Sequence, residues 1–408
     1  MNKFKKIRNV IKGINKQSGE IASFNTSRLE IPRIKTGSIL LDYATSGGIP
    51  VGKVTAFWGE KSCGKSTTVT RIAGNAQKLC ANCYRPMEGF EVVETGVDPE
   101  TGEVFYEVKE GLKCDCFKAG LVETKQYPSE GKREYNERVK KWEKNSFIPF
   151  VVAYVDIEGT FDPVWAKKLG FDPRIMLYIR PDTAEEAIDT IDMLIRTAEV
   201  DMIILDSIAA LTPSVEVEES TEKDQMGIGA RLLNKGVRKF TSALNQLYSG
   251  YNKYCTNLWI NQPRQKIGGW GKQTTLPMGK GQGFMSSMEI KMWTSNYNKE
   301  KWLTKANKEF ELEQSDQVKI NFKIEKNKTG RPKIRGSYFM DLQTGEVVDD
   351  KLILNLLDKY NYLKKSGSKW KFGKHEFKRK MDAEDYVLKN KDKIKQFLLD
   401  KMLTGGFA

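Results

Sequence analysis

Short continuous apolar runs punctuate this chain, and several of them end abruptly in an acid or a glycine-rich turn. Lys53-Val-Thr-Ala-Phe-Trp58 is one, and the segment beyond it, from Ser66 to about Gln77, predicts a helix. Phe150 to Glu158 is a second, closing on Asp156 and Glu158. Residues 200–207, VDMIILDS, are a third, with four apolar residues leading to Asp206. The run TNLWINQ, residues 256–262, is a fourth. Runs of this length predict strands buried on both faces, as in a parallel sheet covered by helices. Further on the period becomes two: Val318, Ile320, Phe322 and Ile324 alternate before KNKTG turns the chain, which predicts a strand with an exposed tip. Residues 351–400 read as a short amphipathic helix (LILNLLDKY), a small hairpin (SKWKFGKHEF) and a final basic helix.

At 408 residues the chain can hold a large core with one or two satellites. No apolar run approaches the ~18 residues of a membrane span. The start, MNKFKKIRNVIKGINK, is basic but lacks the apolar stretch of a secretory signal. Six cysteines do not suggest a disulfide scaffold and point to a reducing compartment, read as the cytosol. His375 is the single histidine, which excludes histidine acid–base chemistry and any Ser-His-Asp arrangement. Net charge is +14 and sits at the ends: nine Lys/Arg against two acids in residues 1–36, and fifteen against seven in residues 351–408. Two basic ends around a near-neutral middle suggest a polyanion partner.

The stretch GEKSCGKST carries the clearest chemistry. Gly59-x4-Gly64-Lys65-Ser66 is a P-loop placed between a strand and a helix, so an anion bound there meets a helix N-terminus. Gly59, Glu60, Lys61, Ser62, Cys63, Gly64, Lys65, Ser66 and Thr67 would cradle the phosphates of a nucleoside triphosphate. Ser66 offers its hydroxyl to Mg²⁺, and Asp206, ending its buried strand, would hold the metal's shell. Asp156 and Glu158 compete as the base that activates water; Glu158 lies nearer the sheet edge and is preferred.

Residues 263–283, PRQKIGGWGKQTTLPMGKGQG, contain six glycines, four Lys/Arg and no acid. Such a segment predicts a long unstructured cationic loop, with Arg264, Lys266, Lys272 and Lys280 on phosphates and Trp270 stacking on a base among Gly268, Gly269 and Gly279. In QMGIGARLLNKGVRK, Arg231, Lys235 and Arg238 fall on one helical face. Such a stripe is more often a solvated face than a site.

About seventy residues, 78–148, separate the P-loop helix from the strand ending at Glu158. They contain Cys80-x2-Cys83 and Cys114-x-Cys116 around a predicted hairpin, EVVETGVDPETGEVFYEV. Four thiolates in two close pairs suit a structural zinc ion, and the segment is too polar to build its own core. Cys63 and Cys255 read as small fillers. YPSEGKREYNERVKKWEKN predicts a charged helical linker.

Taken in order, IKTGSILLDYATSGGIPVGKV, the P-loop, VDIEGTFDPVWAKKLGFDP, LDSIAALTP, QMGIGARLLNKGVRK, INQPRQKIG and KNKTGRP resemble the RecA recombinase family over roughly residues 20–79 and 148–400. The resemblance implies an α/β RecA-like P-loop NTPase core (34–345) with a mostly parallel sheet. The core carries a zinc-ribbon-like insertion (78–148), an N-terminal arm (1–33) and a small basic α+β C-terminal domain (346–408). It implies that Glu158 activates water, that Asp162 and Trp165 lie against adenine, and that Gln262 senses the γ-phosphate. Lys326 and Lys328, by strand context alone a solvated hairpin tip, would reach a neighbour's ATP. Met226, Arg231, Arg238 and Arg264 match DNA-loop positions, Phe284 the aromatic that meets the adjacent subunit, and Gly19–Phe24 the docking segment of the arm.

The implied activity is a Mg²⁺- and ATP-using, DNA-dependent ATPase that forms a filament on single-stranded DNA and promotes strand exchange. Double-stranded DNA would be the secondary partner, gathered by the basic C-terminal lobe; mediator and single-strand-binding proteins are further partners. A hexameric helicase with a related core, or a non-exchanging accessory protein, is the alternative. The insertion and the ending KMLTGGFA, which lacks the family's acidic tail, lean toward a phage source.

Overall fold

Each continuous apolar run becomes a strand of one sheet. The computed structural model describes residues 31–81, 83–87, 89–98, 104–109, 131–144, 148–218, 228–251, 253–265, 274–277, 280–294 and 317–404. Its middle layer is an eight-stranded sheet: β1 (Val54–Gly59), β2 (Val152–Asp156), β3 (Met176–Ile179), β4 (Met202–Asp206), β5 (Thr256–Asn261), β6 (Met288–Thr294), β7 (Gln317–Asn327) and β8 (Arg335–Asp341). The spatial order is β8-β7-β6-β1-β5-β4-β2-β3. From β6 to β3 all neighbours are parallel; β7 and β8 are antiparallel additions. Burial explains the split. β2, β4 and β5 are buried at every position and tolerate no polar face, whereas β7 alternates as its period of two predicted.

Helices cover both faces. On one side α1 (Lys65–Gln77) packs Val69, Ile72 and Ala73 against Phe57, Met202 and Phe322. On the other, α2 (Ala184–Thr197) and α3 (Ile228–Tyr251) bury Ile188, Ile191, Leu233 and Phe240 against Leu205 and Trp259. α2 starts on a side-chain cap: Thr183 accepts from the Glu186 N–H, and the Glu186 carboxylate accepts from the N–H of Asp182, one residue before the cap. Gly236 lets α3 approach closely, since a Cβ there would lie 3.0 Å from Ile188.

Strand ends sit inside the sequence expectations: β2 stops at Asp156, so Glu158 stands two residues beyond it. The insertion forms its predicted hairpin, Val92–Val97 with Val104–Val108, and its predicted helix, Lys132–Lys144. It also gathers a small apolar knot of Cys80, Cys83, Met87, Phe90 and Val108, which the polarity of the segment did not predict. Tyr106 of the hairpin stacks on the Arg174 guanidinium, 5.0 Å from the ring centre.

Two expectations need correction. Beyond Lys359 the chain forms three antiparallel strands rather than a hairpin: Leu363–Ser366, Lys369–Phe372 and His375–Phe377. Two helices follow instead of one, Lys380–Lys389 and Lys391–Thr404, and their core of Ile353, Leu363, Val387 and Leu398 recruits Ile39 from the helix Ile39–Ala44. Secondly, 263–283 is not wholly without structure: Arg264–Gln265 pairs with Thr274–Thr275, and a helix, α4 (Lys280–Met285), closes the segment. No described helix is long and apolar enough to cross a membrane.

Candidate functional site

The P-loop runs from the end of β1 into α1, and its glycines are demanded by space. A Cβ on Gly59 would lie 2.0 Å from the Met292 carbonyl oxygen. Gly64 has φ +84°, and a Cβ there would meet Ile320 at 2.7 Å. Cys63 is buried, and burial pushes its thiol pKa up. Lys65 is buried too. Its ammonium donates to the Gly59 carbonyl at 3.1 Å, the Glu60 carbonyl at 2.6 Å and the Cys63 sulfur at 3.8 Å, so it folds back over the loop. Such a cation suits phosphate oxygens. The hard oxygen donors of Ser66 and Asp206 likewise suit Mg²⁺.

Asp206 ends β4 in a nearly closed environment. Burial, the leading cause, raises its pKa to about 6 against hydrogen bonds from Tyr154 and Ser66. The Tyr154 hydroxyl donates to Asp206 Oδ2 at 2.8 Å. The Asp206–Ser207 peptide is cis, and the Ser207 hydroxyl donates to Glu158 Oε1 at 2.5 Å. Gln262 Nε2 donates to the same oxygen at 3.1 Å.

The two candidate bases are thereby separated. Asp156 is fully buried, and its oxygens accept from the N–H groups of Gly159, Thr160 and Phe161 and from the Tyr178 hydroxyl. It holds the turn, and the turn presents Glu158 to solvent. Asp162 caps the helix Pro163–Lys168 by accepting from the Val164 and Trp165 N–H groups, while Trp165 is half-buried on the same helix.

From Gln262 a polar chain leads away. Asn261 Oδ1 accepts from the Gln262 N–H at 2.9 Å, and Asn261 Nδ2 donates to Gln282 Oε1 at 2.6 Å and to the Pro277 carbonyl at 3.2 Å. Arg264 donates to the Ala209 carbonyl. The start of the cationic segment is thus tied to the turn after β4, and its end, through Gln282, to Asn261 at the end of β5. Arg231, Lys235 and Arg238 are exposed on α3, and Lys280 opens α4. Met226, Lys266, Gly268, Gly269, Trp270, Lys272 and Gly279 lie outside the described residues.

Lys326 and Lys328 stand elsewhere. Lys326 pairs with Glu289 and Asn327 with Met288, which lies beside Thr55 near the start of β1; Met292, by contrast, lies beside Gly59 at its end. The lysines therefore occupy the amino end of the parallel strands, about 13 Å from the P-loop at ~3.3 Å per strand residue. Lys326 donates to the Gly283 carbonyl, and burial followed by the neighbouring Lys328 lowers its pKa. Phe284, next to Gly283, is 75% exposed.

Cys80 and Cys83 bracket a tight turn in which the Tyr84 N–H reaches the Cys80 carbonyl at 2.8 Å and Tyr84 has φ +58°. Cys114 and Cys116 lie outside the described residues, and no cluster of three or more His, Cys, Asp or Glu able to hold a metal occurs among the described ones. Sequence reasoning missed Tyr154, Ser207, Asn261 and Gln282. The signal available for Tyr154 was a lone hydroxyl within an otherwise apolar run.

A family model described as the RecA N-terminal domain matches residues 5–102 and 139–340, breaking inside the segment expected as an insertion. Protein RecA of Thermus aquaticus is 26% identical over 408 residues, covering 98% of this chain and 94% of the relative. Protein RecA of Mycobacteroides abscessus is 27% identical, covering 93% and 86%. That of Fusobacterium nucleatum is 31% identical over 68% of this chain and 54% of its own length.

Proposed function

Because the chain belongs to the RecA family, we propose that it is a DNA-dependent ATPase that assembles as a filament on single-stranded DNA and carries out homologous pairing and strand exchange. The observation that carries this reading is the position of Lys326 and Lys328. They lie at the sheet end opposite their own P-loop, so they serve a triphosphate only across an interface between copies. Phe284, exposed beside them, marks that interface.

Within one copy, loop N–H groups from Gly59 to Thr67 and the Lys65 ammonium hold phosphates, while Ser66 and Asp206 hold Mg²⁺. A Mg²⁺ ion held by Ser66 and Asp206 would supply positive charge against the phosphate oxygens. Glu158 accepts the proton of the attacking water. Gln262, which shares Glu158 Oε1 with Ser207, reports the site's state through Asn261 to Gln282 and the cationic segment. Asp162 and Trp165 face the adenine. Arg231, Arg238, Arg264, Lys266, Lys272 and Lys280 grip phosphates, with Met226 in the same DNA-facing segments and Trp270 stacking on a base, and the other bases stay available for pairing. The basic C-terminal lobe, 346–408, gathers duplex DNA, and the setting is the cytoplasm.

The test is subunit mixing. Glu158→Gln chains retain the lysines, and Lys326→Ala/Lys328→Ala chains retain the base. Each alone should turn over ATP poorly on single-stranded DNA, and an equimolar mixture should recover part of the wild-type rate. No recovery on mixing, or unwinding without joint molecules, would sink the reading.

For the insertion we propose zinc held by Cys80, Cys83, Cys114 and Cys116; the tight Cys80–Cys83 turn supports half of that site. Metal analysis of chelator-free protein should give about one zinc per chain, and a ratio near zero ends the proposal.

A further inference from the structure

We propose that Tyr154 is a positioning residue for the metal-holding carboxylate, acting through the hydrogen bond from its hydroxyl to Asp206. The inference rests on the reading that Asp206 and Ser66 hold Mg²⁺. Tyr154 lies mid-strand in β2, in register with Ile204 of β4, two residues short of Asp206 on the same face. Its side chain is buried, and its ring packs on Phe161 with centroids 4.7 Å apart. A phenylalanine would fill that space, so packing alone does not account for the hydroxyl. The hydroxyl instead donates to Asp206 Oδ2 at 2.8 Å, with Thr70 of α1 beside it.

Thr70 and Ser66 are four residues apart, on one face of α1. Ser66 in turn lies beside Asp206. Thr70, Tyr154, Asp206 and Ser66 therefore cluster between the P-loop helix and two strands. A carboxylate has roughly four lone-pair directions. The Tyr154 bond takes one on Oδ2, which fixes the plane of the group and leaves other directions toward the loop. Tyr178, the register partner of Tyr154 on β3, does the same for Asp156 at 3.0 Å. In that case the acid's remaining capacity goes to backbone N–H groups and none is left for a metal.

Outer-shell partners of metal ligands are typically worth 10–100-fold in metal affinity. In the full-length protein, binding of a fluorescent ATP analogue would be titrated against Mg²⁺. For Tyr154→Phe the half-saturating Mg²⁺ should rise about tenfold, and for Thr70→Val by less, with nucleotide affinity at saturating Mg²⁺ and the unfolding midpoint unchanged. In an Asp206→Asn background, Tyr154→Phe should add nothing. A shift under about twofold in folded Tyr154→Phe protein would overturn the inference, as would an equal shift in the Asp206→Asn background. If Tyr154→Phe does not fold, Thr70→Val decides on the same readout. Wild-type protein whose nucleotide binding ignores Mg²⁺ would sink the reading of the site itself, and this inference with it.

Discussion

At the carboxyl end of the central sheet each acid is held by hydrogen-bond donors: Asp156 by three backbone N–H groups and Tyr178, Asp206 by Tyr154, Glu158 by Ser207 and Gln262. At the amino end the chemistry is cationic and sparsely tethered. Lys326 reaches one carbonyl, that of Gly283, and Lys328 is exposed. β4 spans both ends and has an acid at each. Asp206 at its top faces the P-loop, while Asp201, just before its start, is buried and accepts from the Val151 N–H at 2.8 Å. The difference teaches that acids and their donors gather at one end of the sheet and the lysine pair at the other; on the proposed reading each copy supplies its lysines to the half-site of a neighbour.

The largest effect should follow from breaking the amino end. Lys326→Ala with Lys328→Ala should lower DNA-stimulated turnover about 10³-fold, as loss of a charge supplied across an interface does, and leave nucleotide binding by the dispersed protein within about twofold. Steady-state ATPase and nucleotide titration measure the two; equal losses in both would make the lysines local scaffolding. A smaller effect should come from cutting the link at the carboxyl end. Gln262→Ala should collapse the ratio of turnover with and without single-stranded DNA, from whatever it is in wild type toward one, a loss of about tenfold. A preserved ratio would show that Asn261 and Gln282 report nothing.

The smallest effect concerns Asp201, whose carboxyl burial raises to about 7. Between its ordinary value and about pH 7 the folded chain keeps a proton that the unfolded chain has lost. Stability from this group is therefore fullest at low pH and falls as pH rises through that window. Asp201→Asn should flatten the decline by about 1 kcal/mol in urea unfolding at pH 5 and pH 8; an unchanged slope would place the titration elsewhere.

What could be read in advance was what lies close together in the chain. The P-loop, the buried strands and the alternation of β7 are written in stretches of five to eleven residues, where period and turn chemistry act directly. That Glu158 stands exposed beyond the strand end was legible from its place in the run. The reason Asp156 is unavailable, its capture by Gly159, Phe161 and Tyr178, was not. Nor did the pattern of SKWKFGKHEF reveal a third strand partner, because Leu363–Ser366 is short, lysine-rich and carries no apolar alternation. The cationic segment looked structureless because glycine and lysine dominate its composition; its clasp at Arg264–Gln265 depends on Thr274–Thr275, which no local signal pairs with it.

Alone, the sequence determined the nucleotide loop, the parallel α/β class and the two basic ends, since these follow from backbone preference, hydrophobic period and charge. Tertiary structure decided which groups meet. Glu158 and Gln262 are 104 residues apart and Tyr154 and Asp206 are 52 apart, and only strand order and register bring each pair within hydrogen-bond reach. The same order carried Lys326 to the end of the sheet that its own P-loop does not occupy. Hydrogen bonds act over about 3 Å, so their partners are set by packing in space and leave little trace in the chain.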